Sequence, residues 1–179
     1  TATTIDKTTS NGGSAQLDLS AYIDPIARGR SKGTGLAVYR CHVGIMQEGS
    51  NSNPIDDAES GTFSYGLLAG AGTGDLVTGG LAVSGTAFSM TNSLLVYSGQ
   101  FYGPKSQVAN ACTTVDMFNN GVVAPSDSVP YVIVRDNVCL TYTVHDQMVE
   151  DTLLSIRLEV AQISLDQATL NQLLRTQTV

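Results

Sequence analysis

The residues with the greatest potential for chemistry are two histidines, His42 and His145, and three cysteines. An imidazole can act as the base for a serine or cysteine nucleophile, and it can bind zinc together with further ligands. Cys41 precedes His42 directly, but neighbouring residues of a strand point to opposite faces, so this pair cannot form a dyad. The two histidines could meet across strands, although no third ligand is indicated. We therefore predict no catalytic residue, no metal site and no cofactor.

The cysteines, Cys41, Cys112 and Cys139, are odd in number and lack the C-x-x-C spacing of zinc-binding and redox motifs. Neither a disulfide scaffold nor a zinc knuckle is indicated by this pattern. The sequence favours reduced and mostly buried thiols. A single disulfide between Cys41 and Cys139 is the alternative.

One cluster of oxygen-bearing side chains, Asp56, Asp57 and Glu59 with Asn51 and Asn53 before them, offers enough ligands for Ca²⁺. Its spacing does not match the EF-hand loop, which needs a Gly at its sixth position and a Glu at its twelfth. A solvated acidic loop is the favoured interpretation. Whether Asp56, Asp57 and Glu59 bind a cation stays open at this point.

Phosphate binding has two weak candidates. Three glycines at positions 70, 72 and 74 are not followed by a Lys-Ser or Lys-Thr pair, so a long loop between strands is the simpler interpretation. The basic cluster Arg28, Arg30 and Lys32 could contact a phosphate, but so short a run is typical of a solvated loop. The chain has 179 residues and a formal net charge of −7, and a field of this sign repels nucleic acids. We predict no strong nucleic-acid binding by the folded body.

The elements that position these residues are predicted by alternation of apolar and polar side chains with a period of two, which is typical of strands with one face in a core. It is strongest at 15–21, 36–46, 138–145 and 154–161, and weaker at 62–68, 76–84, 86–90, 94–101, 111–117 and 131–135. In 36–46 the shared apolar face comprises Ala37, Tyr39, Cys41, Val43 and Ile45. Roughly eight to ten short strands favour an all-β sandwich or barrel.

The two ends of the chain differ from this pattern. Residues 1–14 are rich in Thr, Ser and Gly and have little to bury, so we predict a flexible or partner-ordered arm ahead of a single domain at 15–179. Near the other end, Ser164 and Gln167 read as a capping box, with Asp166 in the first turn and Arg175 in the last. A short C-terminal helix is therefore predicted.

Five segments together resemble a known family: the strands and turns at 17–23, 35–45, 132–138 and 155–160, followed by the helix at 165–177. Their order is similar to that in small single jelly-roll capsid proteins of tailless icosahedral viruses from marine and hypersaline settings. The resemblance implies an eight-stranded jelly-roll β-sandwich with a short C-terminal helix. It also implies oligomeric capsomers, assembled from this chain alone or with a second capsid protein, and location in the shell of the virion.

The charge pattern bears on what such a shell would enclose. Capsid proteins of small single-stranded DNA viruses usually carry an Arg-rich N-terminal arm, whereas Lys7 is the one basic residue before position 28. Asp outnumbers Glu by twelve to four, a bias that resembles proteins of salt-adapted organisms. A shell over an internal membrane fits these features better than one that binds a genome. We predict a structural protein and not an enzyme; the alternatives are a nonviral oligomeric β-sandwich and a carbohydrate-binding module, which the lack of Trp disfavours.

Overall fold

The computed structural model describes residues 1–24, 32–49, 61–70, 88, 92–102 and 125–177. These residues form eight strands and one helix. The strands are β1 (Ala2–Ile5), β2 (Gly12–Asp18), β3 (Lys32–Gln47), β4 (Thr62–Ala69), β5 (Leu95–Tyr102), β6 (Tyr131–Ile133), β7 (Asn137–Asp146) and β8 (Thr152–Asp166), and the helix is α1 (Gln167–Thr176).

The strands form two four-stranded antiparallel sheets. Sheet A has the order β1-β8-β3-β6 and sheet B has the order β2-β7-β4-β5. The chain crosses between the sheets at every connection except the one from β4 to β5, and this double Greek-key arrangement is the jelly roll. The predicted all-β, eight-stranded jelly-roll sandwich with a short C-terminal helix is therefore confirmed.

The core lies between the two sheets and follows from the period of two, which sends alternate side chains inward. Phe63 and Phe101, on neighbouring strands of sheet B, stack with ring centroids 5.0 Å apart. Sheet A contributes aliphatic side chains, among them Val38 and Leu154. The fully buried members with the largest side chains include Phe63, Ile5, Leu67, Leu140 and Leu154.

The face assignment within β3 is partly wrong. A bulge between Val38 and Arg40 changes the register of β3 against β8, so that Tyr39 has no opposite residue there. Before the bulge Leu36 and Val38 belong to the core, and after it Cys41, Val43 and Ile45 pack against the core as predicted. An extra residue in one strand exchanges the two faces, which is why Ala37 and Tyr39 do not share the face of Cys41.

Residues 1–14 also differ from the prediction of a flexible arm. Ala2–Ile5 pair with β8, and Gly12–Asp18 pair with β7. Ile5 is fully buried and anchors the first strand. Gly13, one of the glycines that suggested flexibility, has a packing role, because a Cβ there would lie 2.5 Å from the Tyr142 hydroxyl oxygen. Residues 1–14 thus contribute to both sheets. The strand predicted at 15–21 corresponds to β2, which begins and ends earlier, at Gly12–Asp18.

The C-terminal helix is present, but its N-cap is not Ser164. β8 continues through Ser164 to Asp166, and the Asp166 carboxylate accepts a hydrogen bond from the Thr169 backbone N–H at 2.7 Å. Asp166 is thus the cap, since a short acceptor side chain next to the first turn serves this purpose. Arg175 lies in the last turn as predicted. The helix packs on the outer face of sheet A, where its buried Leu170 lies against Gly33.

Of the weaker strand predictions, those at 62–68, 94–101 and 131–135 correspond to β4, β5 and β6. The predictions at 76–84 and 111–117 lie outside the described residues. So does the prediction at 86–90, apart from Phe88, whose ring packs on Gly66.

Candidate functional site

His42 lies on the outer face of β3, with about half of its side chain exposed. Its Nε2 is 2.7 Å from Oε1 of Glu159 on the neighbouring β8. Cys41 points to the other side and packs against the core, as the sequence predicted. Burial raises the pKa of the Cys41 thiol to about 12. The thiol therefore stays protonated at neutral pH, and it faces away from the imidazole that could have activated it.

His145 lies on the outer face of sheet B and makes a contact that sequence reasoning missed. Its Nε2 is 2.8 Å from Oγ of Ser64 on the adjacent β4. The pair borders a depression of about 250 Å³ whose rim also includes Gln100 and Tyr102. A shift in the pairing of β4 with β7 at Thr62 helps to bring the two side chains together. A register shift depends on how two strands pair, so the sequence of neither segment alone predicts it.

The two histidines do not meet across strands. His42 is on the outer face of sheet A and His145 on the outer face of sheet B, with the core between them. Within the described part of the chain, no group of three or more His, Cys, Asp or Glu side chains could hold a metal ion. Asp56, Asp57 and Glu59 lie outside that part, as do Arg28, Arg30, Gly72 and Gly74. Lys32 is the exposed first residue of β3.

A disulfide between Cys41 and Cys139 is not formed, because both thiols are free. Cys41 is on the inner side of sheet A, whereas Cys139 is on β7 of sheet B and alternates with the core residues Val138 and Leu140. Burial raises the pKa of both thiols. The favoured expectation of reduced, mostly buried thiols holds for these two, and Cys112 lies outside the described residues.

The most unusual feature of sheet A is the open edge of β8. β1 has four residues and β8 has fifteen. β1 pairs with residues 152–155 of β8, and Thr1 adds hydrogen bonds to Ile156. Beyond Ile156, no strand among the described residues pairs with this side of β8, while its other side is paired with β3 as far as Asp166. Among the described residues, β8 is thus paired on both sides at 152–156 and on one side beyond it.

A cavity of about 530 Å³ opens beside this edge, between the two sheets. Its wall is mostly apolar, and the residues that form it are Leu17, Leu19, Tyr22, Leu36, Leu67, Ile133, Ile156, Leu158 and Val160, with Thr1 and Arg157. Tyr22 is 59% exposed and Val160 is 44% exposed. Large apolar side chains with that much exposure beside an apolar cavity are typical of an interaction surface.

Arg157 has the one charged side chain among the described residues in the wall of this cavity. Its neighbours on the outer face of sheet A are already paired: Glu159 with His42, and Arg40 with Asp127 at 2.6 Å. Arg157 forms no ion pair with any residue in the described ranges. Its side chain lies on the outer face of sheet A, where Arg157 is the residue opposite His42.

No protein-family model, curated protein or solved structure matches this chain. Among the helical residues that the structure describes, no segment is both long and apolar enough to cross a membrane.

Proposed function

We propose that this protein is a structural subunit of an icosahedral viral shell, in which copies of the chain form capsomers alone or with a second capsid protein. The observation that carries this proposal is the strand order of the two sheets, β1-β8-β3-β6 and β2-β7-β4-β5. It is the jelly-roll order that the resemblance to single jelly-roll capsid proteins implies, and viral coat proteins commonly use this architecture. With this function, the protein would be located in the capsid of the virion.

The surface of the sandwich supports an assembly role. A shell subunit must bind several neighbours, and a stable contact buries roughly 800 Å² on each partner. Unpaired strand edges favour such contacts because their backbone N–H and C=O groups remain available for hydrogen bonding. The side of β8 beyond Ile156, which has no strand partner in the part of the chain that the structure describes, is a surface of this kind, with exposed Val160 and Tyr22 beside the cavity.

The net charge of −7 argues against a shell whose subunits neutralise a genome, and we propose a shell that encloses a membrane instead. Acidic subunits repel each other over the Debye length, which falls from about 10 Å at 0.1 M salt to about 3 Å at 1 M. We therefore expect assembly to become stronger as salt concentration rises, in keeping with a salt-adapted host.

Negative-stain electron microscopy of the purified chain, combined with light scattering over a range of salt concentrations, tests this function. Rings, capsomers or shells that grow in number with salt are expected. Light scattering that reports a monomer at every salt concentration, with the chain alone and together with a candidate second shell protein, would overturn the proposal.

A carbohydrate-binding module is the second candidate, and the depression beside His145 favours it. Tyr102 is 47% exposed there, and its hydroxyl donates to Gln100 Oε1 at 2.8 Å. An aromatic ring next to amide, hydroxyl and imidazole groups suits a sugar ring, which has an apolar face and a polar edge. On a glycan array, binding by the wild type that Tyr102→Ala abolishes would support this function over shell assembly.

A further inference from the structure

We infer that Ser64 and His145 form a nucleophile–base pair that hydrolyses small, uncharged acyl esters. The site is the depression on the outer face of sheet B, and this activity is additional to the shell function and does not rest on it. It departs from the prediction that no residue is catalytic, because the pairing of β4 with β7 joins residues 81 positions apart in the chain. Its evidence is the geometry of the pair, the donor beside it, and the size and charge of the depression.

The two reacting side chains lie within hydrogen-bonding distance. Ser64 Oγ is 2.8 Å from His145 Nε2, within the range of about 2.6–3.2 Å that joins a nucleophile to its base. With the ring proton on Nδ1, Nε2 accepts the hydrogen bond from the hydroxyl and is the base. Ser64 is 6% exposed, whereas His145 is exposed. The hydroxyl is therefore sheltered, while the imidazole can pass its proton to a leaving group.

A bulge in β7 positions the imidazole. Two successive pairs of the register, Phe63 with Val144 and Thr62 with Asp146, leave His145 as an extra residue on β7. An extra residue bends a strand and redirects its side chain, and such bulges are frequent next to active sites. This one brings the imidazole to the serine on the adjacent β4.

Gln100 supplies a hydrogen-bond donor from a third strand. It lies directly opposite Ser64 in the pairing of β4 with β5, and it lines the same depression. The Tyr102 hydroxyl donates to Gln100 Oε1 at 2.8 Å, so the N–H groups on Nε2 are the arm of the amide that can serve a ligand. An ester oxygen gains negative charge as the carbonyl carbon bonds to the serine, and an amide donor next to it stabilises that charge.

The size and charge of the depression define the class of substrate. Its volume of about 250 Å³ is below the roughly 300–1,000 Å³ of pockets for drug-sized ligands, so it suits a short acyl group rather than a long chain or a peptide. The described residues that line it include no Lys or Arg. With a net charge of −7 on the chain, an anionic ester would be repelled. An uncharged ester of a short acid fits both observations.

The reaction has an acylation step and a hydrolysis step. Ser64 Oγ bonds to the acyl carbon and its proton passes to His145 Nε2; the bond from the acyl carbon to the alcohol oxygen breaks, and the alcohol leaves with that proton. Water then attacks the acyl-serine with His145 as the base, which releases the carboxylic acid and restores the hydroxyl. Water is the one co-reactant.

The first test is the reaction of the purified chain with para-nitrophenyl acetate, followed by nitrophenol release and by mass spectrometry of the protein. We expect an acetyl group on Ser64 and nitrophenol release above that of buffer, with para-nitrophenyl octanoate reacting more slowly. Ser64→Ala should abolish both signals. Ser155→Ala, which removes a hydroxyl of sheet A that donates to the Gly44 carbonyl, is the matched control and should react like the wild type.

The second test separates the base from a reactive surface imidazole. His145→Ala should lower the rate of acetylation by roughly a hundredfold, and free imidazole in the buffer should restore part of it. His42→Ala is the matched control, because His42 is also a half-exposed imidazole with a hydrogen-bond partner but has no serine beside it. It should react like the wild type.

The donor is tested by Gln100→Glu, which keeps an acceptor for the Tyr102 hydroxyl and replaces the amide N–H groups by a carboxylate oxygen. We expect the rate of acetylation to fall by roughly a hundredfold. The melting temperature of each variant is measured alongside, and the position of the acetyl group and the rescue by imidazole decide the matter even where a variant melts early.

The outcomes bear on this site and leave the shell function to the microscopy experiment. Acetylation of the Thr1 amine, lysines or His42 without acetylation of Ser64 would overturn the inference. So would a His145→Ala variant that reacts as fast as His42→Ala. A wild type that binds glycans at the depression and releases no nitrophenol above buffer would also overturn it, and it would support the carbohydrate-binding function.

Discussion

Gln177 completes the hydrogen bonding at the edge of sheet A, and its replacement is the sharpest test of how α1 contributes to stability. Its side-chain Oε1 accepts from the Val134 N–H at 3.2 Å, and its Nε2 donates to the Val132 carbonyl at 2.6 Å. The side-chain amide thus acts as one residue of a further strand next to β6. Gln177 is 3% exposed, so water has little access to these groups.

Gln177→Ala removes both bonds at once. A buried backbone group without a partner costs about 1–3 kcal/mol, and the Val132 carbonyl is only partly buried, so water recovers part of its loss. We expect the free energy of unfolding to fall by about 2–4 kcal/mol, which lowers the melting temperature by roughly 5–15 °C in a chain of this size.

Urea denaturation followed by circular dichroism measures this loss, and hydrogen exchange of the Val134 amide measures it locally. Gln172→Ala, on the exposed side of α1, is the matched control and should change the free energy of unfolding by less than about 0.5 kcal/mol. If Gln177→Ala behaves like Gln172→Ala and the Val134 amide exchanges at the wild-type rate, the side chain does not complete the sheet.

Three further predictions concern single sites. Gly13→Ala should lower the free energy of unfolding by about 1–3 kcal/mol in urea denaturation, because the new Cβ meets the Tyr142 hydroxyl; an unchanged midpoint would contradict this packing. Hydrogen bonds from Thr169 lower the pKa of Asp166 below its ordinary 3.8. These hydrogen bonds stabilise the folded protein fully above the ordinary pKa, and their stabilising effect is lost as pH falls through the lower pKa of the folded state. Asp166→Asn removes this titration, so the melting temperature of the variant should decline less below about pH 4. Cys41, with its pKa raised to about 12, should react with a thiol reagent far more slowly in the native protein than in urea; equal rates would refute its burial.

The fold could be predicted because alternation is a property of each segment alone. The segment 138–145 alternates cleanly, and β7 indeed places Val138, Leu140, Tyr142 and Val144 in the core. The separation of Cys41 from His42 followed from the same periodicity. Where local pattern and burial agree, the two faces of a strand can be assigned before any partner strand is known.

What could not be predicted depends on pairing between distant segments. The bulge at Tyr39 is defined by the register of β3 against β8, which neither strand encodes alone. The contact between Ser64 and His145 joins residues 81 positions apart. The Thr- and Gly-rich start of the chain looked unable to bury anything, yet β-branched Thr suits a strand and Gly13 makes room for Tyr142. Composition therefore predicted mobility where packing against β7 and β8 decides the structure.

The second half of β8 links the fold to the surface proposed for assembly. In sheet A, β8 lies between β1 and β3, a position in which both sides of a strand are normally paired. β1 pairs with residues 152–155 of β8, and no strand within the described ranges pairs with this side of β8 beyond Ile156. The space between the sheets opens beside the same stretch, where Leu158 and Val160 form part of the cavity wall. Strand backbone and apolar surface therefore lie side by side there, and a strand that extended sheet A would contact both.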